Sequence, residues 1–258
     1  MTVLSVNLNK IAVLRNSREG HRPSVLDAAR TVINAGAQGI TVHPRSDLRH
    51  IRPHDVLELA QLLSDEFSNV EFNIEGNPAA GPNAQGYPGF DALIEQARPA
   101  QATLVPDSDD QLTSDHGWDL QMFNNTLAEQ ISRYQSWGAR VSLFIDPDTA
   151  QIAQAKAHGA DRIELYTGPF AETVWAHGIN HDRSLASFQQ FQAAAEYACQ
   201  IGLGVNAGHD LDQQNLPLFD QITVLDEVSI GHALIADALD VGLFETVRAY
   251  LEILNKTA

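Results

Sequence analysis

Two kinds of apolar spacing alternate along the chain. Short runs in which nearly every residue is apolar end in a polar residue, and longer stretches with apolar positions three and four apart lie between them. The short runs read as strands of a parallel sheet, which are buried on both faces. They predict strands near 2–8, 39–43, 70–75, 101–105, 140–146, 162–167, 203–207 and 225–230. The longer stretches predict helices near 24–35, 53–66, 89–97, 120–137, 148–158, 184–201, 211–218 and 233–254. Gly36, Gly138, Gly159 and Gly202 each close a helix just before a strand. Glycine suits that position because it takes the left-handed conformation without a Cβ clash.

Eight alternations in 258 residues predict one α/β domain, 1–258, folded as a single (β/α)8 TIM barrel. A doubly wound open sheet is the alternative. It usually has fewer units and a glycine-rich first turn, whereas this turn reads Asn7-Leu8-Asn9-Lys10. Residues 76–90, rich in Gly, Pro, Asn and Ala, read as an exposed insertion loop after strand three.

A barrel gathers its strand C-termini on one face, where its chemistry sits. The polar residues expected there are Asn7, Asn9, His43, Arg45, Glu75, Asp146, Glu164, Thr167, Asn206, His209 and the pair Gly231-His232. The segment from Gly39 to His50 is the most informative. Its apolar run stops at His43-Pro44, and Arg45, Arg49 and His50 follow. An acid/base group beside anion donors points to phosphorylated small molecules. Glu75 ends the third strand, with Glu71 and Asn73 on the same face. It reads as a general base or as the partner of a nearby arginine. Small residues before His209 let the backbone come close to a ligand. Gly231-His232 opens the last helix, whose free N–H groups suit phosphate. Lys10 fits a Schiff base or an anion contact. His43, His209 and His232 leave a divalent metal open, although no HExxH or His-x-His occurs. No GxSxG supports a serine nucleophile.

The net charge of −17 argues against nucleic acid or an anionic membrane as partner. Residues 1–52 nevertheless carry eight Lys/Arg against three acids, which concentrates cations where the histidine–arginine segment lies. Cys199 is the lone cysteine. It excludes an internal disulfide, fits a reducing compartment, and reads as buried in an apolar helix. No apolar run reaches the ~20 residues of a membrane span, and the N-terminus lacks a basic leader. A cytoplasmic location is expected.

Several motifs in this order resemble the pyridoxine 5′-phosphate synthase family nearly end to end. They are Ser5-Val-Asn-Leu-Asn, Gly39-Ile-Thr-Val-His-Pro-Arg, Phe72-Asn-Ile-Glu-Gly, Thr103-Leu-Val-Pro, Ile163-Glu-Leu-Tyr-Thr-Gly, Val205-Asn-Ala-Gly-His and Ser229-Ile-Gly-His-Ala-Leu-Ile. The resemblance implies a TIM barrel with extra helices, assembled as an octamer and using no metal or organic cofactor. It implies condensation of 3-amino-2-oxopropyl phosphate with 1-deoxy-D-xylulose 5-phosphate, releasing phosphate and water. His43, Glu75 and His209 match the family's acid/base residues. Arg45, His50 and Thr113 match contacts to the deoxyxylulose phosphate, and Asn7 and Arg18 match contacts to the aminoketone. Asp210 and Gly231-His232 match a phosphate cradle, and Glu164 matches a relay or orienting carboxylate. Asn9-Lys10 departs from the Asp-His of many members, yet asparagine still hydrogen-bonds a sugar hydroxyl and lysine still contacts phosphate. The alternatives are a metal-dependent sugar-phosphate epimerase or aldolase, and a barrel that binds phosphorylated ligands without turnover.

Overall fold

A computed structural model describes residues 2–108, 111–121 and 125–255. Its elements in chain order are β1 (Val3–Asn7), α1 (Asn9–Asn16), α2 (Val25–Asn34), β2 (Gly39–Val42), α3 (Pro53–Glu66), β3 (Glu71–Gly76), α4 (Phe90–Ala97), β4 (Gln101–Leu104), α5 (Asn125–Ser136), β5 (Arg140–Ile145), α6 (Thr149–Ala157), β6 (Arg162–Tyr166), α7 (Gly168–His177), α8 (Asp182–Gln200), β7 (Gly204–Gly208), α9 (Leu216–Phe219), β8 (Glu227–Ile230), α10 (His232–Val241) and α11 (Leu243–Leu254). The strands form a closed parallel barrel in sequence order, and β8 pairs back onto β1 from Val3↔Glu227 to Val6↔Ile230. This is the predicted single barrel with flanking helices.

All eight predicted strands are present to within about two residues. The helices differ more. Asn9–Asn16 and Gly168–His177 are helical where none was predicted, and the stretch 211–218 shrinks to Leu216–Phe219. The predicted helix 233–254 is two, because Gly242, at φ 90°, breaks it between α10 and α11. The predicted helix 120–137 starts at Asn125, and residues 122–124 within it lie outside the described residues. Cys199 is exposed rather than buried, since the buried stripe of α8 ends at Ala198.

The apolar core lies outside the barrel, between strands and helices. Alternate strand residues such as Leu4, Val6, Ile40, Val42, Ile74, Leu104, Val205 and Val228 are fully buried there. The other strand face turns into the lumen, which is polar. Hydrogen bonds join non-adjacent strands across it: Asn206 to Gln101, Thr103 to Glu164, and Asn7 to Glu75. TIM-barrel lumens are usually filled by branched aliphatics. Here titratable groups occupy a region from which water is largely excluded, so their pKa values move.

Segment 76–90 is exposed only in part. Ala79 and residues 81–86 face solvent, while Tyr87, Gly89 and Phe90 are buried. The Phe90 ring lies so close to Gly76 that a Cβ there would meet it at 2.4 Å.

Candidate active site

The C-terminal ends of β1, β2 and β3 bring Asn7, Asn9, His43 and Glu75 together. The Asn7 amide donates to Glu75 Oε2 at 3.3 Å, and its oxygen accepts the Asn9 N–H at 3.0 Å. Asn9 Oδ1 in turn accepts the His43 N–H at 2.8 Å. His43 Nδ1 stands 3.8 Å from Glu75 Oε2. Burial, then repulsion from Asp107 and Glu227, lifts the Glu75 carboxyl to about 8. Burial, then the charges of Arg45, His50 and Arg49, holds His43 well below its usual value. At neutral pH the proton of this pair therefore sits on the carboxyl, and the imidazole is free to accept one. Deeper in the lumen, Glu164 accepts from the Thr103 hydroxyl at 3.4 Å. Burial and the Glu75 charge raise it well above the ordinary value.

Beside the pair is a wall carrying two arginines and a second histidine. Arg45 is ion-paired with Asp107, whose carboxylate also accepts from Ser114 at 2.7 Å. Arg49 pairs with Asp47 at 2.5 Å and donates to the Gln111 carbonyl at 2.9 Å. His50 Nδ1 accepts the Ile51 N–H at 2.9 Å, so the neutral ring carries its hydrogen on Nε2 as a donor. It stays neutral, because burial and then Arg45, Lys10 and Arg49 press its pKa down to about 3. A cleft with about 310 Å³ of empty space, part of it open to solvent, runs between His43, Arg45, Arg49, Asn77, Tyr87 and Asp107.

The opposite wall comes from β7 and β8. His209 and Asp210 both have positive φ, 80° and 60°, and the Thr167 hydroxyl donates to the Gly208 carbonyl at 2.7 Å and to that of His209. Residues outside the usual φ/ψ regions persist where their surroundings over-determine them. His209 Nδ1 is 2.8 Å from Asp210 Oδ2, and its Nε2 is 2.8 Å from the Thr113 hydroxyl. The Asp210 carboxyl is held low: burial opposes this, but the His209 bond and the charges of His209, His232 and Lys10 outweigh it. Lys10 is exposed, and its charge helps to lower the pKa values of both His50 and Asp210. Gly231 precedes α10 and backs onto Asn7, and His232 is exposed.

Most residues read from the sequence thus converge at one mouth, but not all. Arg18 is exposed after α1 and makes no hydrogen bond or ion pair among the described residues. Thr113 bonds to His209, while its neighbours Gln111 and Ser114 bond to Arg49 and to Asp107, so its loop links the two walls. Asn206 lies lower in the lumen, accepting from Arg162 at 2.9 Å. Asp107 was missed, although it follows β4 in Leu104-Val-Pro-Asp and the strand-end rule would have found it. Glu227 and Gln101 sit at strand starts, where that rule gives no signal. Among the described residues no three His, Cys, Asp or Glu side chains are grouped to hold a metal ion.

The family model for the pyridoxal phosphate biosynthesis protein PdxJ matches residues 4–256. A pyridoxine 5′-phosphate synthase of Xanthomonas campestris is 57% identical over 254 residues, 98% of this chain and 96% of the relative. Another, from Xylella fastidiosa, is 53% identical over 255 residues, 98% of this chain and 95% of the relative. Among solved structures, a thiamine phosphate pyrophosphorylase from Pyrococcus furiosus superposes with a TM-score of 0.60 at 9% identity, covering 99% of this chain and 96% of that one. A D-psicose 3-epimerase from Clostridium cellulolyticum gives 0.60 at 11% identity, covering 99% of each. At such identities these structures share the fold alone.

Proposed function

The chain belongs to the PdxJ family, and on that premise we propose that it is a pyridoxine 5′-phosphate synthase. It condenses 3-amino-2-oxopropyl phosphate with 1-deoxy-D-xylulose 5-phosphate, giving pyridoxine 5′-phosphate, inorganic phosphate and water. The observation that carries the reading is the His43–Glu75 pair, loaded with its proton on the carboxyl and set beside a cleft lined by the Arg45–Asp107 and Arg49–Asp47 ion pairs.

Two phosphorylated substrates need two anion sites. Arg45, Arg49 and the neutral His50 donor supply one for the deoxyxylulose phosphate. The backbone at Asp210 and Gly231-His232, with Lys10 nearby, supplies the other. Holding both substrates in register contributes much of the rate advantage. The amine attacks the ketone, and protonated Glu75 gives its proton to the hydroxyl that leaves as water. The carboxylate so formed, with neutral His43, then takes a proton from carbon. Proton transfers shared with His209 carry phosphate expulsion, ring closure and aromatisation. Glu164, buried and neutral, orients the intermediates.

The test is purified, EDTA-treated protein given both substrates, with pyridoxine phosphate and released phosphate followed together. Product at a one-to-one ratio to phosphate is expected. Its absence, with both substrates bound, would favour a barrel that binds phosphorylated ligands without turnover. Activity that appears only on adding a metal would favour the epimerase or aldolase class.

The family resemblance extends the proposal to a cytoplasmic homo-octamer. No described helix is long and apolar enough to cross a membrane, and exposed Leu14, Leu239, Val241 and Phe244 give apolar surface for contacts between copies. Light scattering of the purified protein reads the assembly directly.

A further inference from the structure

Segment 76–90 is bonded to the backbone beside both halves of the Arg45–Asp107 ion pair. Asn83 Nδ2 donates to the carbonyl of Ser46, the residue next to Arg45, at 2.7 Å. Asn77 Nδ2 donates to the carbonyl of Asp107, the ion-pair partner of Arg45, at 2.8 Å. The same two asparagines fold the segment on itself. Asn77 Oδ1 accepts the Ala79 N–H at 2.8 Å, and Asn83 Oδ1 accepts those of Gln85 at 3.0 Å and Tyr87 at 3.2 Å. Backbone bonds from Phe90 to Ala80 and from Asn83 to Tyr87 close it further. From the other side, the Gln130 amide holds the Pro78 carbonyl at 2.8 Å. Tyr87, 2% exposed, lines the cleft with Arg45 and Arg49. A segment so bonded is a compact Ω-loop with its ends together, not a slack insertion.

We infer that this loop is a fixed wall of the pocket for the ketose phosphate, and that Asn77 and Asn83 are positioning residues that hold Arg45 and the segment after β2 in their phosphate-binding arrangement. The inference rests on the synthase reading above. Its physical basis is preorganisation. A guanidinium whose backbone neighbour and ion-pair partner are both fixed before substrate arrives loses less freedom on binding a phosphate. Neither asparagine side chain bonds to His43, Glu75 or His209, so their effect falls on substrate affinity and not on the chemical steps.

Serine separates the two jobs of each asparagine. Its hydroxyl still accepts the N–H groups of the turn, but it is too short to reach a carbonyl of the neighbouring loop. The variant Asn77→Ser/Asn83→Ser, both positions being outside the apolar core, is compared with the unaltered protein by steady-state kinetics. KM for deoxyxylulose phosphate is expected to rise by roughly fivefold to tenfold, the effect of one or two lost hydrogen bonds. KM for the aminoketone phosphate and kcat should stay within about twofold. Unchanged KM values, or KM and kcat moving together, would overturn the inference. If the unaltered protein forms no pyridoxine phosphate, the synthase reading fails first. Calorimetric titration with deoxyxylulose phosphate then decides: weaker binding by the variant supports the loop's role, and equal binding refutes it.

Discussion

Glu227 measures how strongly the polar lumen acts on its carboxyls. It is 2% exposed, begins β8, and its Oε1 has no hydrogen-bond partner among the described residues. Burial, opposed by the Arg162 charge, lifts it to about 7 from an ordinary 4.5. In the native protein it keeps its proton up to about pH 7, whereas the unfolded chain loses it near pH 4.5. Its contribution to stability is therefore fully present below pH 4.5, declines as pH rises through this window, and is gone above pH 7. At about 1.4 kcal/mol per pH unit, the span corresponds to about 3 kcal/mol. Glu227→Gln keeps the shape and is neutral at every pH, so it lacks this slope. Urea unfolding of both proteins, at one fixed concentration and at about pH 5 and about pH 8, reads the difference. The unaltered protein should lose about 2.5 kcal/mol more than the variant between the two, most of the window lying above pH 5. Parallel pH dependence in the two proteins would show that the Glu227 carboxyl is solvated or paired as a carboxylate, and the account of the lumen as a region that keeps acids neutral would fail.

Other expectations follow from the same geometry. Glu75→Gln should lower kcat by about 10²- to 10⁴-fold, the usual worth of a general acid/base, while calorimetry finds substrate binding largely kept; near-normal turnover would remove Glu75 from the mechanism. In the unaltered enzyme kcat/KM should fall as pH rises through about 8, where Glu75 loses its proton, and this limb should be absent from whatever activity Glu75→Gln retains. Gly208→Ala places a Cβ 2.2 Å from Glu164 Oε1, so it should displace that carboxyl, cost about 1–3 kcal/mol and reduce turnover. Wild-type stability and rate in that variant would show that Glu164 has room to move.

Much of the barrel was legible because its signals are local. A parallel strand covered on both sides writes itself as a short apolar run, and the glycines after α2, α5, α6 and α8 mark helix ends; Gly36, Gly138, Gly159 and Gly202 all have positive φ. α1 and α7 escaped because they follow β1 and β6 almost without a loop, so no turn residues announce them. The site was legible as far as residue type and strand ends go. His43, Glu75 and His209 stand at or just past the ends of predicted strands.

The sequence by itself determined the strand count, the barrel and the chemical kind of the groups at its mouth, since each depends on periodicity or on side-chain type. Only the tertiary structure decided which group carries the proton. The inversion of Glu75 and His43 depends on burial and on Asp107, Glu227, Arg45 and Arg49 brought in from distant parts of the chain. Electrostatic energy follows distance and local polarity, and neither is written in the order of residues along a chain.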